Sequence, residues 1–72
     1  MDIPTRSEVY KAFEDMELMS SLSLRVNLQK MGYSIEKARE GITQAKNNGE
    51  LEEVGRGLLA RAHAFAEAEE VH

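Results

Sequence analysis

Cysteine and tryptophan are absent from this 72-residue chain, proline occurs once, and aromatic residues make up only 6%. Without cysteine, disulfides and thiolate metal sites are excluded. The two histidines, His63 and His72, stand nine positions apart with no further ligands at zinc spacing. No metal and no cofactor is therefore expected. No apolar run approaches the ~20 residues that a membrane helix needs. Charges from Asp2 onward break the first apolar stretch, so no secretory signal is expected either. These features and the missing cysteine point to the cytoplasm.

What is present is short. Residues 1–72 make a single small domain, and a chain of this size buries only about 60% of the surface its unfolded form exposes. Such chains usually gain stability from disulfides, a metal or a second subunit. With the first two excluded, association into a homodimer is the expected source. The net charge of −4 is unevenly spread. Residues 2–17 carry −3, residues 25–46 carry +3 and residues 50–72 carry −4. Ordinary solvated helix faces account for this pattern, and a basic middle that meets an acidic partner surface is the alternative. A nucleic-acid binder usually shows a stronger basic stripe interleaved with aromatics, Asn or Gln.

The punctuation reads as helical. Thr5 and Glu8 follow Pro4 at the spacing of a capping box, so a helix should begin there. Val9, Phe13, Met16, Met19 and Leu22 then recur in steps of three and four and draw one stripe. Leu24, Val26, Leu28 and Met31 continue with a shifted phase, and the serines at 20, 21 and 23 sit at the shift. Serine weakens helix interiors, so residues 7–31 read as one kinked helix or as two, roughly 7–19 and 21–31. Gly32 supplies a stop, and Ser34 an N-cap for a helix with Ile35, Ala38, Ile42 and Ala45 inside. Asn47-Asn48-Gly49 ends it.

A last helix is expected from about Glu50 to Glu70, with Leu51, Val54, Leu58, Ala62 and Phe65 along one edge. At 1.5 Å per residue it would run about 30 Å and project beyond a compact base. Gly55 and Gly57 weaken its start by about 1 kcal/mol each, which reads as a tolerated weakness or as a place of close helix approach. The alternating alanines from Ala60 to Ala68 have strand period, but alanine is the best helix former and a poor strand former. The expected fold is all-α, a helical bundle of three to four helices: a short base followed by a long C-terminal helix.

No catalytic constellation emerges. A nucleophile needs a base in reach and a group to orient it, and the serines at 20, 21 and 23 have no histidine nearby in sequence. Glu52-Glu53 and Glu69-Glu70 are adjacent helical positions that point apart. Gly55-Arg56-Gly57 lacks the length of a phosphate loop. The chain reads as non-enzymatic.

Two families share its punctuation. Leu28-Gln29-Lys30-Met31-Gly32-Tyr33-Ser34-Ile35-Glu36-Lys37-Ala38-Arg39-Glu40 resembles a stretch of the MerR family of bacterial transcription regulators. There a helix ends in Leu-Arg-x-Leu-Gly-Phe, and the next opens with Ser-Leu-Glu-Glu. A loop then leads into a long helix that dimerises as an antiparallel coiled coil. The resemblance implies that Asn47-Asn48-Gly49 is the loop and that Leu51, Val54, Leu58, Ala62 and Phe65 are the dimerisation residues. Ala38 and Gly41 replace larger aliphatics, and Arg25 stands at an apolar position. Only nine residues precede Tyr10, so the winged-helix DNA reader of that family is expected to be missing. The rival resemblance is to ubiquitin-associated (UBA) three-helix domains, through Met31-Gly32-Tyr33, Asn47-Asn48, Leu51-Glu52 and Leu58-Leu59. It implies partner binding by Met31, Gly32, Tyr33, Leu58 and Leu59, although Gly49-Glu50 is an insertion and Gly57 replaces a bulky residue.

The leading expectation is thus a dimeric helical protein-interaction module that modulates a bacterial or phage transcription regulator. A UBA-like module for ubiquitin or a peptide is the second. A small secretion-type chaperone using Met16, Met19 and Met31 is the third. Direct DNA binding comes fourth. The helix after Ser34 carries Lys37, Arg39, Gln44 and Lys46, but the acidic flanks oppose phosphate contact.

Overall fold

The computed structural model describes residues 3–62. It contains three helices and a three-stranded antiparallel sheet, in the order α1 (Arg6–Ala12), β1 (Leu18–Ser20), α2 (Ser21–Lys30), α3 (Ile35–Asn47), β2 (Leu51–Gly55) and β3 (Leu58–Arg61). The all-α expectation is overturned, and with it the helical bundle and the long C-terminal helix. The sheet order is β1-β3-β2, so the first strand lies beside the last.

The helix starts follow the sequence closely. Thr5 Oγ1 accepts from the Glu8 amide at 3.2 Å while the Thr5 amide donates to Glu8 Oε1 at 2.9 Å, a complete capping box. Ser34 Oγ accepts from the Lys37 amide at 3.2 Å. Gly32 adopts φ +109° between α2 and α3 and Gly49 adopts φ +79° after α3, both left-handed stops.

The first expected helical stripe breaks early. Phe13 caps α1, and Glu14 and Asp15 then take φ values of +52° and +66°. Left-handed geometry costs an ordinary residue roughly 1–2 kcal/mol, and a side-chain clamp helps to hold it here. Asn27 Nδ2 donates to the Ala12 carbonyl at 2.8 Å and to Glu14 Oε1 at 3.3 Å. The chain reverses, Met19 turns towards the core in β1, and Ser20 caps α2. Residues 7–31 are therefore two helices with a strand between them.

The larger correction concerns residues 51–61. Gly55, Arg56 and Gly57 do not sit inside a helix but at the end of a hairpin. Gly57 has φ +68°, and a bulge lies between Glu53 and Gly55. Two glycines in three residues remove about 2 kcal/mol of helix preference, and pairing with β1 and β2 supplies the alternative. Leu58, Leu59 and Ala60 face Ser20, Met19 and Leu18. Leu51 and Leu59 are buried in the core with Val9, Ala12, Phe13, Leu24, Leu28, Ala38, Ile42 and Ala45. On the same side of the sheet, the Arg61 guanidinium lies 4.8 Å from the centre of the Tyr10 ring.

Helices α2 and α3 pack together across the four-residue turn Met31–Ser34. The order helix, short glycine-containing turn, helix is that of a helix-turn-helix. The β2–β3 hairpin, here named the wing, follows α3, and its β2 strand packs near that helix. No helix among the described residues is long and apolar enough to cross a membrane.

Candidate nucleic-acid interface

Helix α3 buries Ala38, Gly41, Ile42 and Ala45. Opposite them, Glu36, Glu40, Thr43 and Asn47 are spaced four, three and four apart and draw one exposed line. Seven-residue spacing sets two flanks beside that line: Arg39 and Lys46 on one side, Lys37 and Gln44 on the other. The centre of the outward face is made of acceptors and amide or hydroxyl groups, and cations border it on both sides. A nucleic-acid groove has the complementary layout, a floor of base-edge donors and acceptors between two walls of phosphate.

The α2 side of the pair adds a cleft of about 150 Å³ lined by Ser21, Arg25, Arg39, Ile42 and Thr43. Ser21 and Arg25 come from α2 at a spacing of four, and Arg39 and Thr43 come from α3 at the same spacing. Nearly buried Ile42 lies between the two polar pairs. The wing reaches the mouth of this cleft, since the Ser21 amide donates to the Gly57 carbonyl at 2.8 Å. Exposed Arg56 is at the tip.

Charge is segregated accordingly. Residues 21–47 hold five cations, Arg25, Lys30, Lys37, Arg39 and Lys46, against Glu36 and Glu40. Ion pairing among the described residues involves Arg6 with Glu50 at 3.5 Å and Lys46 with Glu53 at 3.8 Å. Arg25 and Arg39 pair with no carboxylate there. The acid surplus of the chain is Asp2, Glu67, Glu69 and Glu70, all outside residues 3–62, which hold nine cations and nine carboxylates. Carboxylates of the two flanks still reach α3: Glu50 lines a pocket with Gln44 and Asn48, Glu53 pairs with Lys46, and Glu8 accepts from Tyr33 in the turn before it.

The residues proposed from sequence are scattered. Met31 is 41% exposed at the end of α2, Gly32 forms the turn, and Tyr33 donates its hydroxyl to Glu8. Leu58 is half-buried and Leu59 buried in β3, whose start pairs with Ser20 at the opposite end of α2. The two groups are about one α2 length apart, roughly 15 Å, so they do not form one patch. Of the dimerisation set, Leu51 is buried, Val54 is 47% exposed, and Leu58 and Ala62 are half-buried. They lie on and just after two antiparallel strands instead of one helix edge, and Phe65 lies outside the described residues. Met16 is exposed, whereas Met19 packs against the core.

The Arg25–Arg39 cleft was missed in the sequence, where Arg25 stood out only as a charge at an apolar position. Its signal was the repeated spacing of four in Ser21/Arg25 and Arg39/Thr43 on either side of a glycine turn. Among the described residues no group of acidic or histidine side chains is arranged to hold a metal. No protein-family profile, curated protein or solved structure matches the chain.

Proposed function

We propose that the chain is a non-enzymatic module that binds duplex nucleic acid through its helix-turn-helix, with α3 entering the major groove and the wing lying alongside. The observation that carries this reading is the face of α3, with Glu36, Glu40, Thr43 and Asn47 between basic flanks. In helix-turn-helix proteins the second helix reads base edges while the first crosses the backbone. A regulatory role in transcription fits such a module, and a second copy would double the contact.

Fluorescence anisotropy with a labelled 20-base-pair duplex tests the reading. At 50 mM salt a dissociation constant in or below the micromolar range typical of non-specific binding is expected, weakening steeply towards 200 mM. A flat titration at 50 mM salt would remove the reading.

A second reading has its own support. Leu22 and Val26, one turn apart on α2, are 58% and 40% exposed. They give α2 a short apolar border suited to a protein partner. Light scattering at micromolar concentration, with and without Leu22→Ser, separates self-association through this border from a monomer that binds only nucleic acid.

A further inference from the structure

We infer that the cleft between α2 and α3 seats a single backbone phosphodiester, held between Arg25 and Arg39. This inference rests on the duplex-binding reading and names the group that anchors it. Each helix contributes one arginine and one hydroxyl-bearing residue to the lining, Ser21 with Arg25 from α2 and Arg39 with Thr43 from α3. Two arginines lining one cleft suit a phosphate, whose oxygens accept the planar, forked donors of a guanidinium. Neither arginine has a carboxylate partner among the described residues, and neither Glu36 nor Glu40 lines the cleft. The apolar Ile42 floor raises the strength of any charge pairing above it by excluding water from one side.

The seat is a side-chain device. The first amides of α2 are already engaged, Ser21 N–H by the Gly57 carbonyl and Ser23 N–H by Ser20 Oγ at 3.1 Å. Anion binding at this place therefore falls to the two arginines and the two hydroxyls. The contact with Gly57 brings the hairpin turn that carries exposed Arg56 to the start of α2.

Salt dependence of duplex binding counts the phosphates neutralised, at about 0.9 in log–log slope for each. The test compares the wild-type chain with R25Q, R39Q and R25Q/R39Q on the labelled 20-base-pair duplex between 50 and 200 mM KCl. Circular dichroism reports folding. Because both arginines serve one phosphate, the double variant is expected to lose about 0.9 of slope, no more. Its affinity should fall severalfold at the low-salt end. R25K and R39K should keep the slope, and K11Q, on the exposed side of α1, should behave as wild type. A loss near 1.8 in the double variant would mean two separate phosphates and overturn the shared seat. An unchanged slope with binding intact overturns the seat while leaving the duplex reading standing. No wild-type binding at 50 mM overturns both. Inorganic phosphate at matched ionic strength is the last arm. If it shifts the Arg25 and Arg39 Nε–H signals in NMR as readily as duplex does, the cleft is a free-anion site and the backbone assignment fails.

Discussion

The Tyr33 hydroxyl, in the turn between α2 and α3, donates to the same Glu8 carboxylate that closes the cap of α1. One carboxylate thus ties the helix-turn-helix to the first helix of the fold. Both neighbours act on its acidity in the same direction. The Thr5 backbone amide and then the Tyr33 hydroxyl hold the Glu8 carboxyl below its ordinary range, against a smaller opposing effect of burial. Replacing Tyr33 by Phe removes one charged-acceptor hydrogen bond and should cost about 1 kcal/mol, read as a lower midpoint in urea.

The same pair sets a pH dependence. A carboxylate whose folded-state pKa is depressed binds fewer protons folded than unfolded between the two values. Its contribution is therefore present above the ordinary carboxylate pKa and lost as pH falls through the depressed folded value. The stability gap between wild type and Glu8→Gln should accordingly be widest near neutrality and narrow below about pH 4, near the ordinary carboxylate value. Urea titrations at pH 7, 5 and 3 check this, and a gap that widens with acid would contradict it.

Pro4 and Gly41 are fitted to each other. A Cβ at position 41 would lie 2.7 Å from Pro4 Cδ and 2.9 Å from Pro4 Cγ. Alanine is favoured over glycine in a helix by about 1 kcal/mol, whereas overpacking costs about 1–3 kcal/mol. The clash should win, so Gly41→Ala is expected to destabilise by about 1 kcal/mol. The sign should reverse once the ring is gone. Adding Gly41→Ala to Pro4→Ala should stabilise, since only the helix preference remains. A thermal-melt cycle of the four proteins decides it.

The two hairpin glycines should behave differently. Gly57 has φ +68°, so Gly57→Ala carries a left-handed penalty of about 1–2 kcal/mol and loosens the wing from Ser21. At Gly55 an added Cβ would meet Leu58 Cβ at 3.6 Å, an ordinary contact. Gly55→Ala should lie within about 0.5 kcal/mol of wild type. Hydrogen exchange of the Ser21 amide, fast in G57A and slow in G55A, is the local readout.

These positions also show what the sequence could reveal. Each cap depends on residues within four places of one another, and Thr5, Ser34, Gly32 and Gly49 were legible for that reason. The all-α reading failed where distant pairing decides. Nothing local to Leu58–Ala60 announces that Leu18–Ser20 lies alongside, and alanine at position 60 spoke for helix. The α1 stop failed likewise, because the left-handed pair Glu14 and Asp15 is clamped through Asn27, which bonds the Ala12 carbonyl and the Glu14 carboxylate from fifteen and thirteen residues away. The arginine cleft is of the same kind: Arg25 and Arg39 are separated by fourteen positions, and only the turn at Gly32 brings their helices together.

Glu36 and Glu40 provide the sharpest test of how α3 is used. They lie on its outward line, where a carboxylate repels phosphate yet accepts a hydrogen bond from a cytosine amino group. On a duplex chosen without regard to sequence the repulsion dominates. Glu36→Gln and Glu40→Gln should each tighten binding by about 0.5 kcal/mol, roughly twofold, on the scale of exposed charge pairs. On a preferred sequence, selected from a randomised pool with the wild-type chain, the same substitutions should weaken binding, because a neutral amide accepts more weakly from the specified base than a carboxylate does. Opposite signs on the two duplexes place α3 in the groove. Equal tightening on both means that α3 only borders the backbone, and the base-reading role of its outward line would have to be given up.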